Sequence, residues 1–541
     1  MRDASIAKNV HYDYVIVGAG SSGCALAERL SRDGTVRVAL LEAGKSDKSF
    51  LIGMPSGVRL LYEGAGFNWK FQTTPQLELG SRQIYIPRGK VIGGSSSINS
   101  MIAIKGAHVD FEDWAKAASS IWGAENMFRV LRDIENASGL PTKHRGDRGL
   151  EGPIRLSRRL IGHELSEAYI TSCEQAGLAR NCDGFNGKSQ LGAGFFDVNI
   201  ADGQRHGASM FLREAAHRQN LVVVPNQIVR RIYLEQGTAR GVVVQQGSDE
   251  TLLRADNEVI LCAGAIGSPQ LLMLSGIGPS QHLYDTGVKV VVDAPEVGQN
   301  LRDHLDCSMR WSTKGVDTFT KYFRPYEGLV HSALSGARYL ATGTGNAATQ
   351  GIEAGAFWTD GQSGNAEFQS HLVLALKWPP HGKHPRNGFA LRVCQLKPKS
   401  VGEIRLASSD PRDAPLIDPG FLTDPRDIDA LADGVAFSTE IIQNGEMQRY
   451  LDQALDHEAT SSNKRIVHNW IRKTAETVYH PVGTCRMGDD TNSVVDSSLR
   501  VRGVENLRVA DAAIMPTIPR GNTNLICMAI GVIAAEIILS R

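Results

Sequence analysis

The stretch that most constrains the fold lies near the amino terminus, Tyr14-Val-Ile-Val-Gly18-Ala-Gly20-Ser21-Ser22-Gly23-Cys24. Four β-favouring residues run straight into Gly18-x-Gly20-x-x-Gly23, and a small-residue helical run follows, Cys24 to Leu30. A second apolar run, Val36 to Leu41, ends on Glu42 and Ala43. Strand, glycine turn, helix, strand and terminal acid together make a dinucleotide-binding unit. The glycines allow a tight turn, close approach of backbone to a pyrophosphate, and tight helix–strand packing. The helix start at Ser21 and Ser22 offers free N–H groups and a partial positive charge to phosphates. Glu42, roughly twenty residues on, is placed to accept hydrogen bonds from an adenosine ribose. The motif alone does not decide between NAD and FAD.

A chain of 541 residues has room for several domains and a sizeable core. Lys plus Arg and Asp plus Glu both number 58, so net charge is zero and no basic footprint points to nucleic acid. The eight cysteines contain no C-x-x-C pair, and several sit in apolar runs, as buried free thiols do. That pattern suits a reducing compartment and gives no metal site. Met1 to Asp13 is polar, without the pattern of a signal peptide. Leu525 to Leu539 is the most apolar segment, contains Glu536, and is too short to span a bilayer. The expectation is a soluble, cytoplasmic protein with no transmembrane segment. No heptad run or exposed hydrophobic stripe marks a partner surface.

Lys45 to Lys90 reads as irregular and leads into Val91-Ile-Gly93-Gly94-Ser95-Ser-Ser-Ile98-Asn99-Ser-Met101, a small-residue run anchored by apolar flanks. Such a run marks backbone lying against something flat or charged. Residues from Phe111 to Asn136 read as helical, with Trp114, Phe128, Val130 and Leu131 inward, and Leu165 to Ala176 as another helix. Leu221–Val224, Gln227–Leu234 and Ala239–Gln246 read as an antiparallel meander. It feeds a buried strand, Glu258 to Gly264, and a helix, Ser268 to Ser275. This second strand–glycine–helix unit implies a nucleotide domain assembled from distant pieces of chain. Strands are expected at Phe368–Leu376 and Phe389–Leu396, with Pro379-Pro380 as punctuation and Gly343 to Gly364 as a mobile loop near the entrance. A strand, Asn506 to Asp511, and a terminal apolar helix close the chain, with Asn522 at that helix's N-cap. Asp511, ending its strand, is suited to hold cofactor hydroxyls.

In this order, these stretches resemble the glucose–methanol–choline (GMC) oxidoreductase family over nearly the whole chain. The resemblance rests on the opening glycines with Glu42, on Gly89 through Asn99, and on Gly264-Ala-Ile-Gly-Ser-Pro-Gln-Leu-Leu-Met-Leu-Ser-Gly-Ile-Gly278. It rests further on His480-Pro-Val-Gly-Thr-Cys-Arg-Met487 and Gly521-Asn-Thr-Asn524. The fold it implies is α/β (α+β overall). A Rossmann-like FAD-binding domain is built from residues 1–155, 205–305 and 475–541. A substrate-binding domain, an antiparallel sheet flanked by helices, takes 156–204 and 306–474.

The resemblance implies His480 as catalytic base and Asn522 as its partner, with Asn524 in packing or cofactor support. The FAD-binding set expected is Gly18, Gly20, Ser21, Ser22, Gly23, Glu42, Ala43, Trp69, Val91, Gly94, Ser95, Asn99, Met101, Val229, Ala263, Asp511, Ala512 and Thr523. His108 and His304 read as structural, and Cys485 as packing. Choline oxidases attach FAD through a His where this chain has Ile98, so the FAD is expected to be non-covalent.

The implied reaction is oxidation of an alcohol to the aldehyde, the proton leaving to His480 and the hydride to flavin N5, with oxygen or a quinone or other carrier as electron acceptor. An uncharged primary alcohol is the preferred substrate. A choline-type substrate is the alternative, with Glu353 and Phe357-Trp358 as a candidate cation cage. A hydroxynitrile lyase or a fatty-acid photoenzyme on the same scaffold is a further alternative.

Overall fold

The structure, a computed structural model, describes residues 11–64, 66–158, 160–187, 189–246, 249–324, 326–359, 361, 364–376 and 386–540. Met1 to Val10 and Pro379-Pro380 lie outside the described residues. Two seven-stranded sheets organise the chain. The first runs in the order Leu221–Val224, Val38–Leu41, His11–Val17, Asp249–Leu261, Thr238–Gln246, Ile228–Glu235, with Leu507–Val509 also paired to Asp249–Leu261. Its centre is parallel, and Val15–Val17 and Val38–Leu41 are buried there, as apolar runs in a parallel sheet require. The helix Ser21–Leu30 lies against it and is covered by the carboxy-terminal helix Asn524–Leu539. That last helix is apolar almost all round because it is buried almost all round. Its one exposed acid, Glu536, pairs with Arg129 at 2.6 Å.

Several expectations need correction. Leu221–Val224 is not part of the meander: it pairs in parallel with Val38–Leu41. The N–H groups of Asn226 and Gln227 donate to the carbonyls of Gly44 and Glu42, which ties the strand's end to the parallel edge instead of folding it back. The other two strands do form a meander with Asp249–Leu261, which starts well before Glu258. The helix after it spans Gly264–Leu274 and contains Pro269. Proline supplies no N–H to the helix, and the carbonyl of Ala265 instead accepts a hydrogen bond from the Thr484 hydroxyl at 2.6 Å. The expected helix from 111 to 136 is two, His108–Ala117 and Ala124–Ile134, because the chain turns through Ser119 to Gly123. Trp114, Val130 and Leu131 are buried there, while Phe128 is only partly so and stacks on His108. Two short helices, Phe50–Gly53 and Val58–Glu63, occupy the region read as irregular.

The second sheet is antiparallel, in the order Leu451–Ala454, Leu305–Thr313, Gly388–Gln395, Phe368–Val373, Ile352–Trp358, Gly192–Phe195, with Glu476–Thr477 also paired to Leu305–Thr313. Alternation separates its faces. Met309, Trp311, Leu372, Leu391 and Val393 join a dry core with Tyr169, Val435 and Trp470 from the covering helices. Asp306, Gln369, His371 and Arg392 alternate with these and so belong to the other face.

The stretch read as a mobile glycine-rich loop, 343–364, contains Ile352–Trp358, an interior strand of this sheet. Its small residues serve close packing. A Cβ on Gly355 would lie 2.2 Å from the Ser370 carbonyl and 2.4 Å from the Phe196 ring. The sequence also concealed an apolar stripe: the helix Glu327–Thr342 buries only Gly328 and Tyr339 and turns its leucines outward. Seven of the eight cysteines, Cys485 among them, are buried free thiols, and Cys182 is exposed.

Candidate active site

Between the sheets lies a cavity of about 550 Å³, and its two walls are made differently. On the first sheet's side the wall is backbone. Gly18 has φ +103°, and a Cβ there would sit 2.4 Å from the Cys262 carbonyl oxygen. A Cβ on Gly23 would meet the Gly18 carbonyl at 2.0 Å, so helix and turn are in contact through backbone. The second glycine loop lies against the first, with Gly94 (φ +53°) able to gain a Cβ only 2.7 Å from the Gly20 Cα.

Gly20 differs from these. Its Cβ would find nothing nearer than 3.8 Å, so protein packing does not require glycine there, whereas a ligand lying on the backbone would. The helix that follows starts on Gly20 without a side-chain cap, leaving its first N–H groups directed at the cavity. The Asn524 side-chain amide nitrogen, also at this wall, is buried and unpartnered. Open space over Gly20, an uncapped helix start, an orphaned amide and two carboxylates fit a dinucleotide.

Those carboxylates are Glu42 and Asp511. Glu42 accepts from the N–H groups of Ala19 and Gly44 at 3.1 and 2.8 Å, and burial pushes its carboxyl up to about 7. Asp511 accepts from the Gly264 and Ala513 N–H groups, both at 2.8 Å, and from the Ser268 hydroxyl at 2.5 Å; burial raises it too. Both face the cavity while bracing the loops around it.

Ser21, Ser22, Ala43, Trp69, Ser95, Asn99, Met101, Val229, Ala263, Ala512 and Thr523 also line the space. Trp69 stacks on Phe71 under the Lys90 ammonium. Asn99 holds its own loop, accepting from the Met101 N–H and the Arg205 guanidinium at 3.0 and 2.9 Å. Gly23 and Val91 do not line the cavity. Gly23 is a packing glycine, and Val91 anchors the second loop in a small apolar cluster with Ile98.

The other wall is side-chain chemistry. His480 Nε2 stands 3.2 Å from the Asn522 amide nitrogen, and His480 Nδ1 stands 3.0 Å from Nδ1 of His304. His304 Nε2 lies 3.0 Å from the Leu396 carbonyl oxygen. A carbonyl only accepts, so His304 carries its proton on Nε2. Burial lowers His304 to about 3, leaving it neutral with Nδ1 as an acceptor. His480 must then carry its proton on Nδ1, and its Nε2 is the bare acceptor that meets the Asn522 amide. Burial, then the neighbouring His304, Arg88 and His371, hold His480 itself well below the usual imidazole range.

Asp303 braces the backbone behind both imidazoles. One of its oxygens accepts from the backbone N–H of His304 at 2.9 Å and of His480 at 2.8 Å. Asn522 is aimed by Gln369, whose amide donates to its Oδ1 at 3.2 Å. Asn522 is not the N-cap: the last helix begins at Asn524 with Thr523 in the capping position, which frees the Asn522 side chain for the cavity. Asn524 accepts from the Ser21 hydroxyl at 2.9 Å, a link between helix starts.

The structural role expected of His304 includes a direct contact with His480, the expected base. Asp303, Gln369, His371 and Arg392 went unnoticed in the sequence. The available signal was alternation: Gln369 and His371 are two apart in the strand Phe368–Val373, and Arg392 is paired across from His371. Arg392 grips Asp306 at 2.5 and 2.8 Å beside the cavity. Glu353, Phe357 and Trp358 make no cation cage. Glu353 accepts from the Ile161 and Gly162 N–H groups, the two aromatics sit in apolar clusters, and none of the three lines the cavity.

Two family models described as GMC oxidoreductase match the chain, at residues 12–306 and 398–531. An alcohol dehydrogenase [acceptor] of Pseudomonas putida is 39% identical over 540 residues, covering 98% of this chain and 96% of that protein. An oxygen-dependent choline dehydrogenase of Photobacterium profundum is 34% identical over 545 residues, covering 98% and 94%. Among solved structures, a variant formate oxidase of Aspergillus oryzae RIB40, described for its effect on FAD modification, superposes with a TM-score of 0.90. It is 26% identical and covers 99% of both chains.

Proposed function

The chain belongs to the GMC oxidoreductase family and is an oxidoreductase acting on CH–OH groups, and from that premise we propose that it holds FAD non-covalently in this cavity and oxidises an uncharged primary alcohol to the aldehyde, with His480 as base. The observation that carries the reading is the tautomer chain Leu396–His304–His480–Asn522, which leaves one bare imidazole nitrogen beside one amide donor. The glycine loops, with Glu42 and Asp511, would hold the cofactor. When bound, FAD supplies the acceptor for the hydride of the carbinol carbon.

An alcohol hydroxyl that enters between His480 and Asn522 donates its proton to Nε2 and accepts from the Asn522 amide. His480 takes the proton because burial keeps it neutral at physiological pH. Asn522 stabilises the oxygen as negative charge develops on it, and an amide cannot compete for the proton. Gln369 and Asp303 keep donor and base in register, so little reorganisation is needed at the moment of reaction.

The absence of a nucleophilic atom on Ile98 supports dissociable FAD; acid precipitation should release the flavin into the supernatant. An uncharged substrate is supported by Asp306, whose carboxylate Arg392 already neutralises, and by the relative named alcohol dehydrogenase [acceptor]. The relatives named oxygen-dependent choline dehydrogenase make choline the alternative to include. The test is a panel of aliphatic and aromatic alcohols and choline, with oxygen and with an artificial acceptor, following loss of flavin absorbance. Rapid loss with primary alcohols and not with choline is expected. A flavin unchanged by every alcohol would sink the proposal and favour a lyase on the same scaffold.

A further inference from the structure

Three polar groups on the cavity wall take no part in moving the proton. Arg392 uses Nε and Nη2 on the carboxylate of Asp306, and its Nη1 donates to no group among the described residues. His371 is only 4% exposed and stacks on the Phe196 ring at 5.3 Å. Neither of its ring nitrogens has a hydrogen-bond partner among the described residues. Burial, then Arg392 and His304, lower His371 to about 3, so its imidazole is neutral, with one N–H and one bare nitrogen. Tyr479, next to the base in the chain, likewise has no partner for its hydroxyl among the described residues. All three side chains line the cavity. Buried polar groups left unpaired are costly, so several in one place call for a ligand that pairs them.

The strands set this cluster at a defined reach from the base. His371 and Arg392 are directly opposed on neighbouring antiparallel strands, which puts their Cβ atoms about 5 Å apart. Burial raises the Tyr479 hydroxyl, and the Arg392 charge opposes that from close by. Gln369, whose amide aims Asn522, lies two residues before His371 on the same face of its strand. Two residues of strand span about 7 Å, the length of roughly five carbon–carbon bonds.

Given an alcohol oxidoreductase, the reading on which this inference rests, we propose that Arg392, His371 and Tyr479 form a second subsite for a distant hydroxyl of the substrate, so that the preferred substrate is a diol. The donors and acceptors select a hydroxyl. Arg392 only donates, whereas neutral His371 and the Tyr479 phenol can each also accept. A hydroxyl accepts from Arg392 Nη1 and donates to one of the other two. An ether or a ketone leaves the accepting groups unused. A carboxylate meets no net charge, because Asp306 already balances Arg392. The methyl end of a plain alkanol leaves all three groups unpaired. The far hydroxyl is held and not oxidised: the carbon that loses hydride is the one at His480.

The test measures kcat/KM of the flavin-loaded enzyme for α,ω-diols of roughly four to six carbons. Each diol runs beside the primary alkanol in which methyl replaces the far hydroxyl. Wild-type enzyme is expected to favour the diol at least about tenfold at the best chain length. Tyr479→Phe removes one hydroxyl and leaves the Arg392–Asp306 pair in place; Arg392→Lys keeps a cation beside Asp306 and loses the fork. Each should cut the diol-to-alkanol ratio at least about threefold. A merely structural lesion slows both substrates alike and does not move that ratio. Equal kcat/KM for diol and alkanol at every length overturns the inference, and so does a ratio that both variants leave intact. A preference for an ω-hydroxy acid overturns it too, because the subsite would then be reading charge. Alkanols oxidised without any preference for diols sink this inference alone, whereas a flavin that neither series bleaches sinks the alcohol reading with it.

Discussion

The two walls of the cavity are built from opposite materials. The first sheet offers bare backbone, two glycine loops packed so closely that Gly94 has no room for a Cβ against Gly20. The opposite wall offers functional groups, a carboxylate, two amides and two imidazoles linked in one hydrogen-bonded set, with Gln369 from the second sheet and the others from the segments beside it. A wall of backbone fails when atoms are added, and a wall of side chains fails when atoms are removed. Damage to the first should therefore release the cofactor, and damage to the second should leave it bound and slow the chemistry.

The largest effect that can break this contrast is at Gly94. Valine there places a β-branched residue at φ +53°, with its Cβ 2.7 Å from the Gly20 Cα, a conformation that such a residue resists. Gly94→Val should be purified without flavin absorbance and without activity; flavin retained at the wild-type ratio would break the backbone account. On the opposite wall, His480→Ala should lower turnover by at least about a hundredfold with the flavin spectrum unchanged.

His304→Phe comes next. It keeps an aromatic ring but removes the acceptor that holds the His480 proton on Nδ1, so part of the population carries the proton on Nε2 and cannot act as a base. Turnover should fall at least about tenfold, again with flavin bound. The smallest effect belongs to Glu42→Gln. The amide can replace one of the two N–H acceptors but cannot carry charge, so equilibrium dialysis should show FAD binding weakened by about threefold to tenfold, with turnover at saturating FAD near wild type.

The same contrast explains what the sequence disclosed. Backbone walls are local: Gly18 to Gly23 and Gly93 to Asn99 are contiguous, so their spacing alone announced them. Side-chain walls are assembled from separate strands. Gln369, His371, Arg392 and Asp306 alternate with apolar residues, a pattern that a solvent-facing sheet would also show, and only the pairing of the strands turns that face toward His480. His304 gave no local sign, because its partner lies 176 residues away. Asn522 reads as the N-cap in place of Thr523 because Asn522, Thr523 and Asn524 are all capping residue types, and helix ends shift by a residue or two. The interior strand at Ile352 was hidden by its small residues, which read as flexibility until Phe196 and Ser370 are seen filling the space above Gly355.

The central claim is that His480 enters the reaction neutral, with Nε2 bare. It is tested most directly by the pH dependence of flavin absorbance loss when the enzyme is mixed anaerobically with a primary alcohol. A base held well below the usual imidazole range stays unprotonated as pH falls through 7, so the rate should be flat from about pH 8 to about pH 6.5. A rate that already halves at or above about pH 6.5 would mean an imidazole protonated like one in water, and would contradict the buried, neutral base.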